Sequence, residues 1–211
     1  MNENTLREEI AEYGKSLYDR GLAHGSAGNI SVKLPDGDYL LTPTNSCMGR
    51  LDPAKISKLD VHGKLLAGDS PSKEAFLHLA MYHERQASAA VVHLHSLHAV
   101  AVSCLAGHDA SNVFPPITAY AIMQVGAVAL VPYYPPGDQS LAEAVRKLAG
   151  KHHALLLANH GPVVAASSLT AAVNAMEELE QTSHLMLLLR DKPTSLLTTA
   201  QIAELNRRFV S

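Results

Sequence analysis

Long apolar runs, cysteines and positive charge are all scarce in this sequence. The longest apolar runs, such as ALLLA at 154–158, fall far short of the about 20 residues a membrane-crossing helix needs. Only two cysteines, Cys47 and Cys104, are present, too few for a disulfide framework. Seventeen Lys and Arg against twenty Asp and Glu leave a formal net charge of −3, which removes the basic footprint of a nucleic-acid binder. The stretch MNENTLREEIAEYGKSL lacks the basic-then-apolar pattern of a signal peptide and reads as a helix. A cytoplasmic location is expected from these absences. No repeat, low-complexity tract or composition shift divides the chain, so one domain over residues 1–211 is expected. What the chain does have is 47% hydrophobic residues for a substantial core, and twelve histidines with no terminal run of them.

Periodicity gives a coarse element order. Leu6, Ile10, Tyr13 and Leu17 predict a helix over 5–21. Strands are expected at 30–33 and 39–42 around a PDGD turn, with a hairpin at 56–68 turning at His62-Gly63. A helix over 71–85 is expected to be capped by Ser72. A strand at 89–95, a short helix at 97–107 and a strand at 127–134 follow. A helix at 140–149 then precedes a buried strand, HALLLANHG, and its neighbour PVVAA. Residues 168–190 read as one long helix, and Thr198-x-x-Gln201 has the capping-box pattern of a last one. Hairpins interrupt any regular βαβ repeat. The expected fold class is therefore α/β in three layers, a central and largely antiparallel sheet with helices on both faces.

The decapeptide VVHLHSLHAV (91–100) sets three histidines into an apolar strand. Side chains two apart share a face, so His93 and His95 point together while Leu94 enters the opposite layer. Such a pair is able to give two imidazole nitrogens to one metal ion, although a core histidine beside a surface one is the commoner outcome for so short a motif. A catalytic zinc usually takes three protein ligands. His160, ending an apolar strand with a turn expected directly behind it at Gly161-Pro162, is a candidate third, and equally an ordinary turn residue. Glu74, in the first turn after Ser72, is a carboxylate candidate or simply a helix-end anion. His98, His78 and His83 read as structural or surface groups. The small polar stretches AHGSAGNIS (23–31) and LTPTNS (41–46) suit a phosphate cradle or two plain turns.

In order along the chain, GSAGNIS (25–31), TPTN (42–45), SKE (72–74), HLHS (93–96) and NHG (159–161) resemble the class II aldolase/adducin family. The resemblance implies that Glu74, His93, His95 and His160 bind one divalent ion per subunit, usually zinc. It implies a phosphate pocket of Gly28, Asn29, Thr44, Asn45, Ser72 and Lys73, and a homotetramer with active sites between subunits. The stretches PSKEAFLHLAMY (71–82), VVHLHSLHAVAVSCL (91–105) and YYPPGDQSLAEAV (133–145) are most similar to the branch that decarboxylates 3-oxo-tetronate 4-phosphates in four-carbon acid-sugar catabolism.

Two departures from the family's aldolases bear on the chemistry. Their Ser-Ser-Glu is Ser72-Lys73-Glu74 here, which adds a cation for a substrate carrying both a phosphate and a carboxylate. Fuculose-phosphate aldolase uses a tyrosine in its C-terminal tail, whereas no tyrosine follows Tyr134 in this sequence. The expected reaction is thus a carbon–carbon lyase step, decarboxylation to dihydroxyacetone phosphate and CO2 through a metal-stabilised enediolate. Glu74 is implied as its acid/base group, and Tyr120, donated by a neighbouring subunit, as a second proton carrier. An aldolase or epimerase on a phosphorylated sugar is the alternative. A thiosugar-phosphate dehydratase and a non-catalytic adducin-type binder are more distant ones.

Overall fold

A computed structural model describes residues 2–135 and 137–209. The domain expectation for residues 1–211, and the stretches MNENTLREEIAEYGKSL and YYPPGDQSLAEAV, extend onto residues 1, 136, 210 and 211, outside the described range. Eight strands make one mixed sheet: β1 (Asn29–Lys33), β2 (Tyr39–Leu41), β3 (Ser57–Leu59), β4 (Leu65–Ala67), β5 (Ala90–His93), β6 (Ala129–Val131), β7 (Ala154–Leu157) and β8 (Gly161–Ala166). Their order is β4-β3-β2-β1-β5-β8-β7-β6, with only β6 and β7 parallel. The α-helices among the described residues are α1 (Glu3–Asp19), α2 (Ala75–Glu84), α3 (Leu97–Ser103), α4 (Ser140–Ala149), α5 (Leu169–Leu189) and α6 (Thr199–Phe209). None is long and apolar enough to cross a membrane.

Strand alternation sorts the core into two layers. Val92 and Leu94 of the central segment pack with Leu6, Ile10 and Leu17 of α1 and with Val173, Met176 and Leu179 of α5. Val91 points the other way and joins Leu77 and Met81 of α2 and Leu141 and Val145 of α4. The sheet is thus covered on both faces, as its near-continuous apolar central strands require. Local caps agree with the sequence. Asn2 Oδ1 accepts from Thr5 N at the start of α1, and Ser168 Oγ from Ala171 N at the start of α5. The capping box of α6 closes reciprocally between Thr198 and Gln201.

Three expectations need correction. The strand read at 127–134 covers only Ala129–Val131, because Pro132 has no N–H for a ladder. The helix read at 97–107 ends at Ser103, four residues before the glycine. Ser72 does not cap α2. The chain enters that helix through tight bonds from Ala75 N to Ser72 O and from Leu77 N to Glu74 O, so Glu74 itself occupies the N-cap position. Ser72 Oγ accepts from Glu74 N instead. Glu74 is therefore not bound to the helix's own amides, and its carboxylate turns elsewhere.

Candidate metal centre and anion pocket

The site lies at one end of the sheet, where β1, β5 and the β7–β8 hairpin meet the start of α2. Asn29 opens β1 and pairs across the ladder with His93, the last residue of β5, which also pairs with Val163 of β8. Ladder partners on both sides make His93 rigid, and it is 0% exposed. Its Nδ1 donates to Pro162 O at 2.8 Å, which aims Nε2 at the cluster. His95 lies two residues on, past the end of the strand, with its Nε2 3.2 Å from that of His93.

His160 arrives differently from the sequence reading. The turn is Ala158–His160, with Asn159 in the left-handed region at φ 56, and Gly161-Pro162 already belong to β8. Gly161 matters through close approach: a Cβ there would sit 2.3 Å from Leu94 O. Without one, the hairpin presses against residues 94–95 and brings His160 Nε2 to 3.1 Å from His95 Nε2. Gly28, at φ 85, has a similar part, since a Cβ would meet His93 O at 3.0 Å.

Glu74 closes the group, with Oε1 3.1 Å from His160 Nε2 and Oε2 3.5 Å from His93 Nε2. The four ligand atoms lie within 4.8 Å of one another. Burial pushes the Glu74 pKa up, but the charge of His93 and hydrogen bonds from His160, His93 and Asn29 outweigh it and hold the carboxyl ionised, well below its usual range. Burial opposes charge on His93, and the Glu74 carboxylate overcomes it, raising that pKa. His95 is lowered to about 3 by burial and by His93 and His160, so it is neutral and ready to coordinate at neutral pH.

These residues fit a divalent metal ion. A tetrahedral ion with arms of about 2.0–2.1 Å separates its nitrogen ligands by roughly 3.3 Å, close to the observed spacings. Converging imidazole nitrogens repel unless a proton or cation lies among them, and an anionic oxygen completes the set. The donor chemistry, three imidazoles and one carboxylate, suits zinc and several other first-row ions.

The cluster opens into a cavity of about 760 Å³. Glu74, His95 and His160 line it, and so do Gly28, Asn29, Thr44, Asn45, Ser72 and Lys73. Two loops are laced together to form that second wall: Thr44 N donates to Ser70 O, Ser72 N to Thr42 O, and Pro43 bridges Pro71. Ser72 Oγ accepts from Asn29 Nδ2 at 3.1 Å and Glu74 N at 3.2 Å. With both lone pairs engaged, its own proton is left to donate into the cavity.

Comparison with known proteins agrees with this geometry. Residues 8–187 match the family model for the class II aldolase and adducin N-terminal domain. The chain belongs to the class II aldolase/adducin family. It is 52% identical over 203 residues to the 3-oxo-tetronate 4-phosphate decarboxylase of Escherichia coli K12, covering 96% of each chain. The crystal structure of YgbL from Escherichia coli, described as an aldolase/epimerase/decarboxylase, superposes with a TM-score of 0.95 at 51% identity, over 96% of this chain and 98% of that one. An L-fuculose 1-phosphate aldolase superposes at 0.87 with 26% identity, over 96% and 95%.

Within this class II aldolase-like chain, Tyr120 stands apart from the cavity. It precedes a π-helical turn at Ala121–Val125 and is 61% exposed. Lining residues to which sequence reasoning gave no role of their own include His24, Tyr134 and Asn159. Asn159 carried a signal in its place within NHG. The other two sit in loops whose approach to the cavity is a tertiary event. His98 is held outside the cluster by Glu180, which accepts from its Nδ1 and from the backbone amides of His98 and Ala99.

Proposed function

We propose that this class II aldolase/adducin family member is a carbon–carbon lyase that decarboxylates a 3-oxo-tetronate 4-phosphate to dihydroxyacetone phosphate and CO2. The observation that carries the reading is one cavity combining the Glu74, His93, His95 and His160 cluster with hydroxyl donors and the Lys73 cation. Near full-length similarity to a decarboxylase supports it. The acting unit is proposed as a single domain over residues 1–211, in the cytoplasm.

The substrate is a β-keto acid. Loss of its C1 carboxylate as CO2 leaves the bonding pair between C2 and the C3 oxygen, and one proton taken up at C2 completes the product. When bound, a divalent ion held by Glu74, His93, His95 and His160, proposed as zinc, would supply Lewis-acid stabilisation of charge developing on the C3 oxygen. Glu74, ionised in the substrate-free site, is assigned as the acid/base group that serves C2 once substrate is bound, and Tyr120 of a neighbouring copy is assigned to carry a second proton. Ser72 and Thr44 hydroxyls bind the phosphate, aided by Gly28 and Asn45. The amide of Asn29 is already committed to Ser72 and Glu74, so its part is to position them. Lys73 pairs with the second anion. Fixing both ends of a short substrate supplies orientation, which is able to lower a barrier by about 7 kcal/mol. A homotetramer with shared active sites is proposed, supported by exposed Leu97, Tyr120 and Tyr133.

Offering 3-oxo-tetronate 4-phosphates of both configurations tests the reading. CO2 and dihydroxyacetone phosphate are expected in equal amounts from one of them. Aldehyde release from a phosphorylated sugar without CO2 would move the enzyme to the aldolase reading, which the similarity to a fuculose-phosphate aldolase makes the nearest rival.

A further inference from the structure

Behind Glu74, a line of buried polar groups that starts at Asn29 on the cavity wall crosses from β1 to α2. Asn29 and Ser31, two apart on β1, share one face of the strand, and His78 and Tyr82, four apart on α2, share one face of the helix. All four are buried, between 1% and 3% exposed. The Tyr82 hydroxyl lies 2.9 Å from Ser31 Oγ, which lies 2.7 Å from His78 Nδ1. His78 Nε2 bonds Asn29 Oδ1, and Asn29 Nδ2 lies 2.7 Å from Glu74 Oε2.

The ionised carboxylate settles the polarity of the whole line. Glu74 only accepts, so the Asn29 NH2 must face it and Oδ1 must face His78. The opposite amide orientation would set oxygen against oxygen beside Glu74 in a buried site, at a cost of one unmet acceptor. Nε2 of His78 therefore carries the proton, and its bare Nδ1 accepts from Ser31. The Ser31 oxygen in turn accepts from Tyr82. Every member then has one direction, and burial pushes the His78 pKa down to about 3, which keeps the ring neutral as this direction needs.

We propose that His78 is a positioning residue: through the Tyr82–Ser31–His78–Asn29 line it locks the Asn29 amide, and with it both the Glu74 carboxylate and the donor role of Ser72. This rests on the reading of Glu74 as a metal ligand. It explains why a histidine that looked merely structural is buried with both ring nitrogens engaged, and why β1 begins with a buried Asn beside the metal cluster.

The experiment joins three readouts on the full chain: 15N NMR of the histidine tautomers without metal, zinc affinity by competition with a chelator, and steady-state decarboxylation. The wild type is expected to show His78 as the Nε2–H tautomer. His78→Leu should weaken zinc binding and lower kcat by roughly 10- to 100-fold with less change in KM. His78→Gln, which keeps a donor toward Asn29, should recover most of both losses. Tyr82→Phe, at the far end, should produce a smaller loss of about threefold, since only the last donor is removed. An Nδ1–H tautomer for His78 overturns the proposal. So does zinc affinity unchanged in His78→Leu, or a His78→Gln variant as impaired as His78→Leu. A wild type that binds no divalent metal would overturn the metal reading instead, and the tautomer would still judge the line itself.

Discussion

His93, His95 and His160 on one side of the cavity, and Thr44, Asn45 and Lys73 on the other, are held by different means. The imidazoles stand at or beside strand ends, fixed by ladder pairs on both sides of β5 and by the hairpin pressed against Leu94. Thr44 is half-buried, and Asn45 and Lys73 are exposed on loops tied together by a few backbone bonds. The first side has little freedom to move, as suits ligands that must converge to within tenths of an ångström. The second presents hydroxyls and a long cation, which suits capture of an anion whose position tolerates more variation. Chemistry is thus expected to depend on the strand side and substrate capture on the loop side.

Variants on each side test that division. The largest effect is expected from His95→Ala, which should lose bound metal and lower kcat by roughly a thousandfold, as several kcal/mol of charge stabilisation is removed. Full activity of the unmutated enzyme in excess strong chelator would break the metal mechanism outright. Next comes Gly161→Ala, where the new Cβ runs into Leu94 O and the hairpin must retreat. A loss of roughly 2–4 kcal/mol in denaturant unfolding is expected, accompanied by weaker metal binding. A variant of wild-type stability would show that the hairpin yields cheaply and that His160 is not held by this approach. Lys73→Ser should have the smallest effect: a rise of about tenfold in KM for the phosphorylated acid, with metal content intact. An unchanged decarboxylation rate at low substrate would mean that Lys73 does not read the second anion. Were Lys73→Ser to strip the metal, or His95→Ala to alter only KM, the contrast between the two sides would fail.

Much of this was legible residue by residue. Period-two alternation in VVHLH separated Leu94 from His93 and His95, and the two core layers follow the same alternation. The hairpins around PDGD and His62-Gly63 announced the antiparallel half of the sheet. Boundaries were less visible. The turn before β8 was misplaced by two residues, because Gly161-Pro162 resembles a turn locally while Gly161 serves a contact with Leu94, 67 positions earlier in the chain. Ser72 resembled an N-cap because capping is a local rule, and the tight entry into α2 that displaces it serves Glu74.

The sequence by itself determined the layering, the family and the kinds of residue at the site, since these rest on periodicity and on ordered local motifs. Only the tertiary structure decided which nitrogen of each histidine faces the cluster and that Glu74 turns away from its helix. It also decided that His78 belongs to a directed line of hydrogen bonds ending at that carboxylate. Those outcomes depend on distances between side chains 45 to 49 positions apart, such as Asn29 with Glu74 and with His78, and no local pattern encodes them.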